Sequence, residues 1–123
     1  MKSPKTKSLV LGFISALLLA GVGYAAQSGK NFTGEIMDSA CAKSGSHAGM
    51  MKADPKMSTA KLCTDGCVAH GAKYVLYDDA TKTSYELSDQ KKPAAFAGQK
   101  VTVMGTLNDQ TKTITVADIK AGS

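Results

Sequence analysis

The sequence predicts an all-β fold with short helices, because apolar and polar residues alternate in several short segments after residue 31. The alternation is clearest in 100–107 (KVTVMGTL) and 113–119 (TITVADI), which are joined by a polar turn. In contrast, residues 38–57 are rich in Gly, Ser, Ala, Lys and Met and show no clear period, and residues 58–70 carry helix signals. We therefore predict five strands, with a helix-bearing insert between the first and the second.

The first three strands follow from their residue types. Segment 32–37 (FTGEIM) is typical of a first strand. Segments 73–78 (KYVLYD) and 83–87 (TSYEL) contain the aromatic and β-branched residues that strands favour. The polar residues between these two segments predict a tight turn, so the second and third strands are expected to be neighbours.

Two segments predict helices. Over 58–70, Ser58 or Thr59 would cap the start of a helix, and Gly71 suits the left-handed residue that follows its end. Segment 38–57 has no clear periodicity, so a loop is predicted there. Segment 89–97 (DQKKPAAFA) predicts a short helix or turn between the third and fourth strands.

This order of elements is that of the OB-fold, a small Greek-key barrel of five strands with a helix between the third and fourth. The sequence therefore predicts a single OB-like domain over residues 32–120, with the insert at 38–72, after a polar lead-in at 26–31. In an OB-fold the insert would be one of the loops at the rim of the usual binding face.

The first 25 residues predict a secretory signal peptide. Three lysines within the first seven residues precede an apolar run from residue 9 to 22, and small residues follow at Gly23 and Ala25. The apolar run is shorter than the roughly 20 residues that span a membrane. Cleavage after Ala25 would leave 98 residues, enough for one core. We expect an exported protein, periplasmic or secreted, with no membrane span in its mature chain.

Composition argues against a nucleic-acid partner. The net charge of +5 falls to +2 when three of the fifteen basic residues leave with the signal peptide, because ten acidic residues remain. Every basic residue is lysine, whereas arginine carries much of the specific recognition of phosphates and bases. No nucleotide-binding loop, serine elbow or supported carboxylate pair is found, so a non-catalytic domain is expected.

Four motifs follow one another along the domain: Asp-Ser-x-Cys at 38–41, Cys-x-x-x-Cys-Val at 63–68, Gly-x-Lys-Tyr at 71–74 and Val-x-Val-x-Gly at 101–105. In these motifs the chain resembles a family of short exported bacterial proteins, known mainly as a domain of unknown function. The resemblance covers nearly all of 32–119 and implies an exported OB-like domain without an established activity. Many members carry adjacent His-Met-Met residues, whereas this chain has Ala48 and Gly49 between His47 and Met50.

Residues with metal-binding chemistry are concentrated in the insert. Cys63, Cys67 and His70 are spaced four and three apart, so one face of the predicted helix would carry all three. Thiolate and imidazole ligands suit zinc, whereas thiolate and thioether ligands favour copper(I). The nearby methionines therefore favour copper over zinc. The predicted metal ligands are Cys41, Cys63, Cys67, His70, His47, Met50 and Met51, with Met57 close by.

The same cysteines have two other interpretations. Exported proteins meet an oxidising compartment, so Cys41 would pair with Cys63 or Cys67 and fasten the insert to its helix. The domain would then be a structural or protein-interaction module of the cell envelope. A thiol oxidoreductase with Cys63 or Cys67 as nucleophile is a third hypothesis, although no Cys-x-x-Cys motif is present. Asp38 and Asp65 are expected to be a turn residue and a solvent-facing helix residue.

Overall fold

The computed structural model describes residues 29–122, so the predicted signal peptide lies outside the described residues. Each predicted strand end lies within two residues of the observed one, and the all-β expectation is confirmed. The strands are β1 (Lys30–Asp38), β2 (Tyr74–Asp78), β3 (Thr83–Leu87), β4 (Lys100–Asn108) and β5 (Thr113–Ala121).

The five strands form one closed sheet in the order β1-β2-β3-β5-β4. The long strand β1 makes closure possible because its first part, Lys30–Glu35, pairs with β4 and its last part, Glu35–Asp38, pairs with β2. A short parallel pairing between β3 and β5 completes the ring. A 3₁₀ helix at Lys92–Phe96 lies between β3 and β4, where a short helix or turn was predicted.

Apolar residues fill the space inside the closed sheet. They come from all five strands and from the segment before β4. The core residues of β2 and β4 alternate along each strand as the sequence predicted, whereas in β5 a register shift opposite Met104 and Gly105 brings Ile119 to the same core as Ile114. The buried members of this first core are Ile36, Tyr74, Leu76, Leu87, Ala97, Val101, Val103, Ile114 and Ile119.

The insert between β1 and β2 contains more helix than the sequence predicted. Helix α1 (Ala48–Ala53) and two 3₁₀ turns, Cys41–Lys43 and Pro55–Met57, lie where a loop was expected, and helix α2 (Ala60–Ala69) follows them. The prediction of an irregular segment at 38–57 is therefore wrong in part. Elements of three to six residues are too short to show a helical period, so the sequence pattern does not reveal them.

Helix α2 has the ends that the sequence predicted. The Thr59 side chain accepts a hydrogen bond from the backbone N–H of Leu62 at 3.2 Å, which satisfies one of the free amides of the first turn. At the other end, Gly71 has a φ of 105°, the left-handed conformation that glycine adopts at low cost. Both caps therefore follow from local sequence.

The insert packs on the outer face of the sheet. Four of the five β2 residues are buried because Leu76 faces the first core while Val75 and Tyr77 contact the insert. This second core contains Met37, Cys41, Ala42, Met57, Cys63, Cys67, Val75 and Tyr77. All three cysteines of the chain thus lie between the insert and the sheet. Among residues 29–122, no helix has the length and apolar character needed to cross a membrane.

Candidate metal centre

Four side chains from the insert and the end of β1 meet in the second core. They are Asp38 at the end of β1, Cys41 in the first 3₁₀ turn, and Cys63 and Cys67 on α2. One carboxylate oxygen and the three Sγ atoms all lie within 4.8 Å of one another. All four residues are buried, with Asp38 and Cys63 fully inaccessible to solvent. We refer to these four residues as the thiol cluster.

Local structure explains how the cluster forms. The Asp38 Oδ1 atom accepts hydrogen bonds from the backbone N–H groups of Ala40, at 3.0 Å, and Cys41, at 2.8 Å. These bonds turn the chain at the end of β1 and hold Cys41 beside the carboxylate. Cys63 and Cys67 are four residues apart on α2, so both face the sheet.

The three thiols are free, and the Sγ atoms of Cys41 and Cys63 are 3.6 Å apart. A disulfide bond is about 2.05 Å long, so these two atoms are in contact without being bonded. Two thiolates on one tetrahedral zinc ion would lie about 3.8 Å apart, given zinc–sulfur bonds of about 2.3 Å. The Sγ atoms of Cys41 and Cys63 would therefore have to move only slightly to bind the same metal ion.

Burial and negative charge favour the protonated thiols of Cys41 and Cys67. Burial raises the pKa of Cys67 to about 11, and the neighbouring Asp38 charge contributes to the increase. Burial also raises the pKa of Cys41 well above its ordinary value, and its hydrogen bond with Cys63 raises it further. A bound cation would reverse this balance, since it stabilises thiolates. Metal binding would thus release protons.

Asp38 and His47 each have a buried atom without a hydrogen-bond partner among the described residues, Oδ2 and Nδ1 respectively. The two atoms are 3.9 Å apart, and the other ring nitrogen of His47 lies 2.9 Å from Glu35 Oε1. Buried polar atoms are nearly always paired, so an unpartnered carboxylate oxygen on a residue of the thiol cluster is suited to bind a cation. His47 is outside the thiol cluster, and its Nδ1 atom is too far from Asp38 Oδ2 for a hydrogen bond.

The structure separates the predicted ligands into two groups. It brings Cys41, Cys63 and Cys67 together, whereas neither histidine contributes a nitrogen to the thiol cluster. His70 is exposed at the end of α2. Met51 is half-buried and packs against the second core, and Met50 is exposed.

Asp38 is the member of the cluster that sequence reasoning did not select as a ligand. It makes the turn that was expected of it, but it is also buried among the thiols. The feature of the sequence that could have indicated Asp38 as a ligand is its position three residues before Cys41. Asp65 is partly exposed and accepts a hydrogen bond from the Tyr74 hydroxyl at 3.0 Å, so it has a structural role outside the cluster.

A cavity of about 420 Å³ opens beside the thiol cluster. Cys67 contributes to its wall, together with Met50, Met57 and His70. The cavity therefore connects one cluster thiol with the protein surface.

Comparisons with protein families, curated proteins and solved structures give no match to this chain. Its function must therefore be argued from the chemistry of the site.

Proposed function

We propose that this chain is an exported, non-catalytic domain that binds one soft metal ion, copper(I) or zinc, on an OB-like barrel. The ligands would be the thiolates of Cys41, Cys63 and Cys67, with Asp38 as the fourth. The observation that carries this proposal is the convergence of these four buried ligand atoms within 4.8 Å. The closed five-stranded order supports the OB-like assignment.

The donor chemistry supports a soft ion. Thiolates favour copper(I) and zinc over hard cations such as magnesium or calcium, which take oxygen ligands. The ligands come from β1, the first 3₁₀ turn and α2, so a bound ion would fasten the insert to the sheet. Binding would therefore increase the stability of the folded domain.

The arrangement also supports binding rather than catalysis. Four protein ligands complete a tetrahedral shell, as in structural zinc sites, whereas catalytic sites keep one position for water or substrate. A thiol oxidoreductase needs a thiol of lowered pKa. The pKa of Cys67 is instead raised to about 11, which argues against that hypothesis.

Metal content of the reduced, purified protein tests the proposal. We expect about one copper or zinc ion per chain in the wild-type protein, and none in Cys63→Ser. Thr64→Val is the matched control, because Thr64 is the buried neighbour of Cys63 on α2 and lies outside the thiol cluster. Equal metal content in the wild-type protein and Cys63→Ser would exclude the thiol cluster as the site.

A second function is supported by the contact between Cys41 and Cys63. Because their sulfur atoms are 3.6 Å apart, a small movement would allow a disulfide, and the domain would then be a stapled structural or protein-interaction module of the cell envelope. Intact mass and thiol counting on protein isolated from its own exported compartment separate the two functions. One free thiol, a mass lower by two hydrogens and no metal would favour the disulfide-linked structural or protein-interaction module.

A further inference from the structure

We propose that the cavity beside Cys67 is a loading port for copper(I), in which Met50, Met57 and His70 receive the ion and Cys67 passes it to the buried cluster. This inference rests on the proposed function and specifies its ion and its route. It assigns Met50 and His70, two predicted ligands that lie outside the thiol cluster, to a separate, outer site that also includes Met57.

Exposure makes Cys67 the connecting ligand. It is 8% exposed and lines the cavity of about 420 Å³, whereas Cys63 is fully buried and Cys41 is 3% exposed, and neither lines that cavity. An ion that arrives through this cavity therefore meets Cys67 before the other two thiols. Cys67 also belongs to the group of four ligand atoms, so it can bind the ion at both positions.

The cavity wall has the chemistry that copper(I) prefers. Met50, Met57 and His70 line the cavity together with Cys67, so the residues of its wall supply two thioethers, an imidazole and a thiol. Thioethers bind copper(I) well, whereas zinc is held by thiolate, imidazole and carboxylate ligands. Met50 is 39% exposed and belongs to neither core, so packing does not explain a methionine at this position.

Transfer would proceed by ligand exchange without a change of oxidation state. Copper(I) bound to the thioethers and His70 would form a bond to Cys67 Sγ as the thiol releases its proton to solvent. Cys41 and Cys63 would then replace the outer ligands, each releasing its thiol proton as it binds. Lys43 is exposed and also lines the cavity, and its positive charge disfavours the approach of a bare cation. We therefore expect copper(I) to arrive bound to an anionic carrier.

The rate of copper loading tests the port. The full mature protein would be mixed with the anionic copper(I)–bicinchoninate complex, whose colour reports transfer in a stopped-flow instrument. We expect loading of the double variant Met50→Leu/His70→Gln to be slower by about tenfold, with the same final copper content, because its buried ligands are intact. Met104→Leu is the matched control, since Met104 is 37% exposed on β4 and away from the cavity.

The outcomes separate the port from the proposed function. Equal loading rates in the wild-type protein and the double variant would overturn the port while leaving the buried site in place. Lower final copper content in the double variant would also overturn it, because Met50 or His70 would then be a ligand of the resting site. A wild-type protein that takes up no copper(I) would overturn the port, and uptake of zinc by that protein would still support the proposed function.

Discussion

The Sγ atoms of Cys41 and Cys63 lie in contact at 3.6 Å, although 22 positions separate the two residues in the chain. Cys41 lies in the turn that follows β1, and Cys63 lies in helix α2. Their contact therefore joins the sheet to the last helix of the insert. The two proposed functions differ in what joins these two sulfur atoms, which is a shared metal ion in the first and a disulfide bond in the second.

Mild oxidation of the metal-free protein should link Cys41 to Cys63, because these two thiols are already in contact. The reaction removes two hydrogens and would close a loop whose chain-entropy contribution to stability is about 3 kcal/mol. Peptide mapping should find Cys67 still available for alkylation. Cys67→Ser is the control and should form the same bond. A disulfide that includes Cys67 in the wild-type protein would contradict the prediction.

The metal-free domain should lose stability in alkaline solution. The pKa of Cys67 is raised from 9.0 to about 11, so below pH 9 the thiol is protonated in both the folded and the unfolded chain. Between these values the unfolded chain loses its proton first, and the free energy of unfolding falls as pH rises. Urea unfolding of the reduced protein across this range measures the effect.

The contribution of Cys67 is isolated by comparison with Cys67→Ala. Other groups that titrate in alkaline solution, such as lysines, are the same in both proteins, so the difference between their pH dependences belongs to the thiol. We expect a shallower loss of stability in the variant. Parallel curves for the two proteins would show that the pKa of Cys67 is not raised.

Asp38→Asn should make Cys67 more reactive and weaken metal binding. The amide retains an oxygen for the backbone N–H groups of Ala40 and Cys41. It removes the negative charge that, after burial, contributes most to the raised pKa of Cys67. Alkylation of Cys67 by iodoacetamide near neutral pH should therefore be faster. Metal affinity should fall by about 10- to 100-fold, as for other residues that hold or orient ligands.

Asp65→Asn is the control for this experiment. It removes a carboxylate charge from α2 itself, but Asp65 lies outside the thiol cluster and contacts Tyr74 and Lys61. Its alkylation rate and metal affinity should match those of the wild-type protein. Similar changes in both variants would mean that net charge, rather than the position of Asp38, controls the thiols.

Gly98→Ala should destabilise the domain by about 1–3 kcal/mol. Gly98 has a φ of 71°, and a Cβ atom there would overlap backbone atoms of Ala60 and Lys61 at the start of α2. Gly49→Ala is the control, because a Cβ atom at this position of α1 meets nothing within 4 Å and alanine favours the helix. Urea unfolding should show a loss for the first variant and none for the second.

Much of the fold follows from local sequence. Alternating residues define β4 and β5, and the caps at Thr59 and Gly71 define the ends of α2. The spacing of Cys63 and Cys67 places both thiols on one helix face, since a helical turn contains 3.6 residues. These features depend on neighbours within a few positions, so a single sequence contains enough information to predict them.

The composition of the site depends on tertiary structure. Asp38 and Cys41 reach α2 because the insert packs against the outer faces of β1 and β2. The periodicity of the sequence does not predict that packing. The same packing leaves His70 exposed on the cavity wall, although its spacing from Cys67 fits a shared helix face. The sequence alone thus determined which residue types were available and where the strands lie. Only the packing of distant segments decided which side chains share the buried site, because those contacts depend on burial and chain path rather than on spacing.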